Sequence, residues 1–139
     1  MNEQQNVALI QKMYAAFERG DVQTILDSLA SDVEWTMEGP AILPFTGKRT
    51  GPAQVLGFFQ ALATTQSDMK LTTEAIVAQG DIVATLGRYA GTVKATGKKF
   101  DTAVGHFFTI RDGKIARFVD LGDTAAMAEA YVAKSAAAF

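Results

Sequence analysis

The stretch Asp101-Thr-Ala-Val-Gly-His-Phe-Phe-Thr-Ile-Arg-Asp-Gly-Lys-Ile-Ala-Arg-Phe-Val-Asp120 constrains this chain more than any other. Two β-rich runs flank Arg111-Asp112-Gly113-Lys114, and Asp-Gly between apolar runs is a strong hairpin signal because both turn residues tolerate positive φ. The only histidine, His106, falls on the first run, and an acid, Asp120, falls on the second. The turn decides whether they meet. With Gly113 in a left-handed bulge position, Ile110 pairs with Lys114, and His106 and Asp120 become diagonal neighbours on one face. A two-residue turn instead pairs Arg111 with Lys114 and sends Asp120 to the opposite face. The bulge is favoured, because one face then carries Val104, His106, Phe108, Ala116 and Phe118 beside Asp120.

With 139 residues and 48% hydrophobic content, the chain reads as one domain, residues 1–139, with a sizeable core. A net charge of −2 with scattered basic residues argues against a nucleic-acid partner. Cysteine is absent, which removes disulfides, thiol nucleophiles and thiolate metal sites. One histidine and dispersed carboxylates give a metal site little support, and no cofactor is expected. The start Met1-Asn-Glu-Gln-Gln-Asn lacks the basic residues and apolar run of a signal peptide, and no stretch reaches membrane-spanning length. The expectation is a cytoplasmic protein without a membrane partner.

Helical patterns come first. Val7, Ile10, Met13, Tyr14 and Phe17 share a helix face that Gly20 terminates. Asp21 caps a second helix carrying Val22, Ile25, Leu26 and Leu29. Asp32 to Met37 reads as a short strand, and 38–50 reads as a loop whose Ile42, Leu43 and Phe45 suit a lid. Pro52 opens a third helix with Val55, Phe58, Phe59 and Leu62, although Phe58 and Phe59 are not expected both to face inward as fully as Val55 and Leu62. Strands follow over 69–78, 82–94, 99–111 and 114–121, and Asp123 or Thr124 caps a closing helix. Helices followed by an antiparallel meander make an α+β pattern with helices on one face of a curved sheet.

Several segments carry a family resemblance: Tyr14-Ala-Ala-Phe-Glu-Arg-Gly-Asp21, Ser31-Asp-Val-Glu-Trp35, Leu43-Pro-Phe-Thr-Gly47 with Gly51, and Phe58-Phe59. Thr96-Gly97, His106, Arg111-Asp-Gly-Lys-Ile115 and Asp123-Thr-Ala-Ala126 continue it. In this order they resemble the SnoaL-like branch of the nuclear transport factor 2-like superfamily. The resemblance implies a cone: N-terminal helices packed on a curved antiparallel sheet, an apolar pocket between them, and often a homodimer. It covers enzymes and binding modules alike, so it does not by itself define a function. Aligned on Gly20-Asp21, the tyrosine, base and oxyanion acid of ketosteroid isomerase fall near Met13, Met37 and His106, which argues against that activity. SnoaL-like cyclases use an aspartate near the end of the final strand, and Asp120 and Asp123 both fit that description.

The candidate proton-handling pair is therefore His106, as a base, with Asp120 orienting its ring. The plainer alternatives are a core histidine, a solvated strand aspartate and, for Asp123, a helix cap. Tyr14, Trp35, Met37, Phe59, Phe108 and Phe118 are candidate ligand contacts, Tyr14 through its hydroxyl. Arg88 reads as a solvated strand residue. The functional expectation is a cofactor-independent isomerase, cyclase or hydrolase acting on a small apolar carbonyl or epoxide compound. Its alternatives are a binding module for a small hydrophobic molecule and a dimeric interaction protein. Val83, Thr85, Tyr89 and Val93 would suit the interaction surface of the latter and fit a core equally well.

Overall fold

The computed structural model describes residues 2–133. Helix α1 (Glu3–Glu18) starts at Asn2, whose side chain accepts from the Gln5 amide while the Gln5 side chain accepts from the Asn2 amide. Its far end is closed by Gly20 at φ 74°, with the Gly20 amide on the Phe17 carbonyl and the Asp21 amide on the Ala16 carbonyl. That paired arrangement needs a left-handed residue, which is why glycine stops the helix there. Helix α2 (Val22–Asp27) is capped by Asp21, as its position after the glycine predicts. Helix α3 (Pro52–Thr65) has proline in its first turn, where the missing N–H costs nothing. A last helix, α4 (Thr124–Tyr131), is capped by Asp123 through the Ala126 amide.

The strands are β1 (Leu29–Met37), β2 (Gly47–Thr50), β3 (Gln66–Gln79), β4 (Ile82–Val93), β5 (Lys99–Arg111) and β6 (Lys114–Gly122). They form one sheet in the order β2-β1-β6-β5-β4-β3. Three features differ from the sequence expectation. The sheet is mixed, because β1 runs parallel to β6, a pairing that no local pattern announces. The 38–50 loop also ends in a strand, β2, too short and too exposed for alternation to show. Strand β3 starts directly where α3 ends, three residues before the expected start at Met69.

Curvature comes from bulges. Register slips between Ser67 and Lys70 and between Thr73 and Ala75 each place an extra β3 residue against β4. The second slip lies beside Gly87, where a Cβ would come within 2.0 Å of the Thr72 carbonyl oxygen, so only glycine allows the approach. The concave face carries the helices: α1 lies on β3 and β4, α3 on β1, and α4 on β5. Val83, Tyr89 and Val93 are buried in this core rather than displayed on an outer surface, and Thr85 also faces inward. Arg88 faces outward and pairs with Asp101 at 2.7 Å. Among the described residues no helix is long and apolar enough to cross a membrane.

The 38–50 segment is wall rather than flap. Leu43 and Phe45 are fully buried, the Phe45 ring packs edge-on against Phe58 and Tyr131, and Arg49 donates to the Phe45 carbonyl at 2.8 Å. Phe58 and Phe59 are both buried as well, Phe59 at 7% exposed being the least buried of the four residues on this face. Trp35 lies edge-on to both rings, so the sheet meets a wider face of α3 than one stripe.

Candidate functional site

The hairpin between β5 and β6 has the two-residue turn, with Asp112 at φ 53° and Gly113 at φ 75°, and Arg111 pairs with Lys114. This is the alternative that the sequence disfavoured. Its predicted consequence is undone one pair later, because Ile110 faces Ile115 while Thr109 faces Arg117, leaving Ala116 as an extra residue. That bulge shifts β6 by one position and returns Asp120 to the concave face. His106 and Asp120 are directly opposite rather than diagonal.

The register builds a row across four strands that is polar on three of them. Met37 neighbours Asp120, Asp120 neighbours His106, and His106 neighbours Thr85. Tyr14 reaches down from α1 onto this row, its hydroxyl 2.8 Å from Thr85 Oγ1 and 2.7 Å from His106 Nδ1. On the other side of the imidazole, Nε2 lies 3.7 Å from Asp120 Oδ2, beyond hydrogen-bond range. Both residues are 9% exposed, and among the described residues no hydrogen bond reaches the Asp120 carboxylate.

This geometry changes the roles that spacing suggested. Tyr14, not Asp120, orients the imidazole. Burial pushes the Tyr14 phenol far above its ordinary range; the Thr85 hydrogen bond opposes the shift weakly and the nearby Asp120 charge adds to it. The phenol therefore stays neutral and donates its one proton either to Nδ1, with the Thr85 hydroxyl donating to the phenol oxygen, or to Thr85 Oγ1, with Nδ1–H donating to the phenol oxygen. If Tyr14 donates to Nδ1, Nε2 carries a proton towards Asp120; if Nδ1 donates to Tyr14, Nε2 is a free base. The first arrangement suits an ionised Asp120 electrostatically. An oxygen placed about 2.8 Å from both Nε2 and Oδ2 would fit between them.

Above this row lies a cavity in which the centres of water-sized molecules have about 70 Å³, the room between atom surfaces being larger. Tyr14, Trp35, Met37, Phe59, His106, Phe118 and Asp120 line it. Phe108 does not. It is fully buried two residues further along β5, and the rings of Tyr14 and Phe118 cover it at 6.1 and 5.2 Å. Asp123 stands exposed at the mouth, on the rim and in its cap, so Asp120 is the buried acid of the two. The sequence reading missed Phe45, Tyr89 and Met127 as walls. Inward alternation on β4 marks Tyr89, and spacing on α4 marks Met127, whereas Phe45 lies in irregular backbone without a period. Burial also raises the Tyr89 phenol far above its ordinary range; the phenol donates to Gln66, whose amide donates to Tyr131 at 2.8 Å. That chain ties α4 to the sheet as a fixed wall. Among the described residues no group of three metal-ligating side chains occurs.

A SnoaL-like domain model matches residues 10–118, so the chain belongs to the SnoaL-like family. Its fold is shared with an NTF2-like protein of unknown function from Burkholderia pseudomallei, 27% identical, with 96% of this chain and 100% of that chain covered and a TM-score of 0.88. TerC, crystallised with polyporic acid, is 30% identical over 91% of this chain and 98% of its own, with a TM-score of 0.84. A structure from a Jannaschia species called a SnoaL-like polyketide cyclase is 17% identical over 96% and 95% of the chains at a TM-score of 0.83, a likeness of fold alone. No curated protein sequence matches the chain.

Proposed function

We propose that this protein is a cofactor-independent acid/base enzyme acting on a small, largely apolar carbonyl or epoxide compound. One observation carries the reading. A largely buried carboxylate that has no hydrogen-bond donor among the described residues shares the cavity floor with an imidazole whose far nitrogen is already held by Tyr14. In the carbonyl case Asp120 takes a proton from the carbon next to the carbonyl, and the electron pair moves onto the carbonyl oxygen. His106 Nε2–H donates to that oxygen, and Asp120 returns the proton to carbon. The aromatic walls exclude water and strengthen each of these charge interactions. The 30% identical TerC, crystallised with polyporic acid, supports an organic small molecule as the occupant.

The scarcity of polar atoms on the walls favours a second reading, a binding module for a hydrophobic molecule. Proton exchange separates the two. A ketone held in the cavity should exchange its α-hydrogens for deuterium in D₂O with the wild type, and His106→Ala should slow that exchange about 10²-fold while retaining affinity. Retained exchange in that variant refutes the mechanism, and lost affinity alone favours the binding module.

We also propose a homodimer. Outward-facing Val77, Leu86, Phe107 and Leu121 are each about half exposed or more, and they lie in two adjacent cross-strand rows on β3 to β6. An apolar sheet face of this kind suits a second copy. Sedimentation at micromolar concentration should give a dimer for the wild type and a monomer for Phe107→Lys; a monomeric wild type excludes it.

A further inference from the structure

Among the described residues Asp120 is the only buried acid, and no hydrogen bond reaches its carboxylate. Two other buried side-chain atoms lack a partner, Asn6 Oδ1 and Trp35 Nε1, but both are sealed from solvent and no ligand can reach them. Asp120 is not sealed. Its side chain keeps 12% exposure, that of His106 keeps 10%, and both line the cavity. A carboxylate in apolar surroundings favours an opposite charge beside it over a neutral partner.

The protein places no such charge in the cavity. Among the described residues that line it, the carboxylates are Asp120 on the floor and Asp123 at the mouth, and there is no lysine or arginine. A metal ion is a poor match for the opposite charge. Hard cations take about six oxygen ligands, and no group of three metal-ligating side chains occurs among the described residues. An organic ammonium ion asks for less: one or two acceptors for its N–H groups and apolar surface for its carbon body. Tyr14 and Phe17, half-buried on α1, offer aromatic surface of the kind that attracts such cations.

The imidazole adapts to an N–H donor. The Tyr14 hydroxyl, 2.7 Å from Nδ1, gives or accepts a hydrogen bond there, so Nε2 can present either a proton or a lone pair. To a carbonyl oxygen it presents the proton; to an N–H group it presents the lone pair. A nitrogen about 2.8 Å from both Nε2 and Oδ2 fits between them, with one N–H for each. In that state Nδ1–H donates to Tyr14 and Tyr14 donates to Thr85, so the proton lost at Nε2 is balanced by one gained at Nδ1.

We infer that the cavity is a binding site for a small primary or secondary ammonium ion with an apolar, ring-bearing body, one N–H donating to Asp120 and another to His106 Nε2. This rests on the small-molecule reading of the cavity and goes beyond it, because acid/base chemistry on a carbonyl compound requires no charge on the ligand. An amine held this way covers the proton acceptor and competes with a carbonyl substrate.

Benzylamine, protonated at neutral pH, and ethylbenzene, uncharged and nearly equal in shape, serve as probes of the full chain. Both should perturb methyl signals of the cavity in the wild type. Asp120→Asn keeps the shape and removes the charge. It should weaken benzylamine about tenfold to a hundredfold, the effect of one charged hydrogen bond, and change ethylbenzene by less than about twofold. The chain has one histidine, so its ring nitrogens give assignable ¹⁵N signals. In the benzylamine complex Nδ1 should carry the proton and Nε2 none. Benzylamine that binds both proteins equally overturns the inference, as does a saturated wild-type complex in which Nε2 keeps a proton. Ethylbenzene binding without benzylamine binding also overturns it, and leaves the cavity as a site for neutral molecules. If neither probe perturbs the cavity, the small-molecule reading fails and the inference with it. The wild-type ¹⁵N spectrum decides the matter even if Asp120→Asn does not fold.

Discussion

Asp120→Asn should lower turnover by about 10² to 10⁴-fold while the melting temperature holds or rises. The side chains match in shape, so packing against Met37 and His106 survives. What disappears is the proton acceptor and the charge. Among the described residues no hydrogen bond reaches that carboxylate, and His106 Nε2 stands at 3.7 Å, so few native contacts depend on it. Asp123→Ala provides the contrast. It removes the cap on α4 and should cost about 1 kcal/mol of stability while leaving turnover within a few fold. Paired melting curves and rates for the two variants assign the acid. A large rate loss at Asp123 with none at Asp120 would move the chemistry to the mouth of the cavity.

Phe45→Ala should destabilise the protein by about 3–5 kcal/mol, a drop of roughly 10 °C or more in melting temperature. The ring is completely buried and stands between Phe58 on α3 and Tyr131 on α4. Removing it leaves a void where a loop, a helix and the closing helix meet, next to the cavity. A hinged lid would behave otherwise, since its side chains would contribute little to global unfolding and much to ligand exchange. A melting temperature within 2–3 °C of wild type would restore the lid.

Much of the helical layer was legible because its signals are local. Gly20 before Asp21, Pro52 at a helix start and Asp123 before Thr124 each act within one turn of backbone. The β5–β6 hairpin was legible for the same reason, and so were its partners His106 and Asp120. The route by which they meet was not. The energetic choice between turn types spans a few residues, and a bulge at Ala116 later in the strand reverses the consequence of the turn. The parallel β1–β6 pair was invisible because nothing near Trp35 encodes a neighbour more than eighty positions away. Likewise, the spacing of His106 and Asp120 suggested that the acid orients the ring, whereas the orienting group arrives from Tyr14 on a helix. Tyr14 was expected to need a partner for its hydroxyl, but its sequence neighbourhood could not say which.

That same β1–β6 pairing governs how the chain reaches its native state. Residues 34–37 find their neighbours at 117–120, so a loop of about eighty residues must close before the first strand is flanked on that side. Contacts of such long separation slow folding. During synthesis, Trp35 and Met37 emerge long before the strand that covers them, and this half of the cavity waits, apolar and open-edged, for residues 114–122.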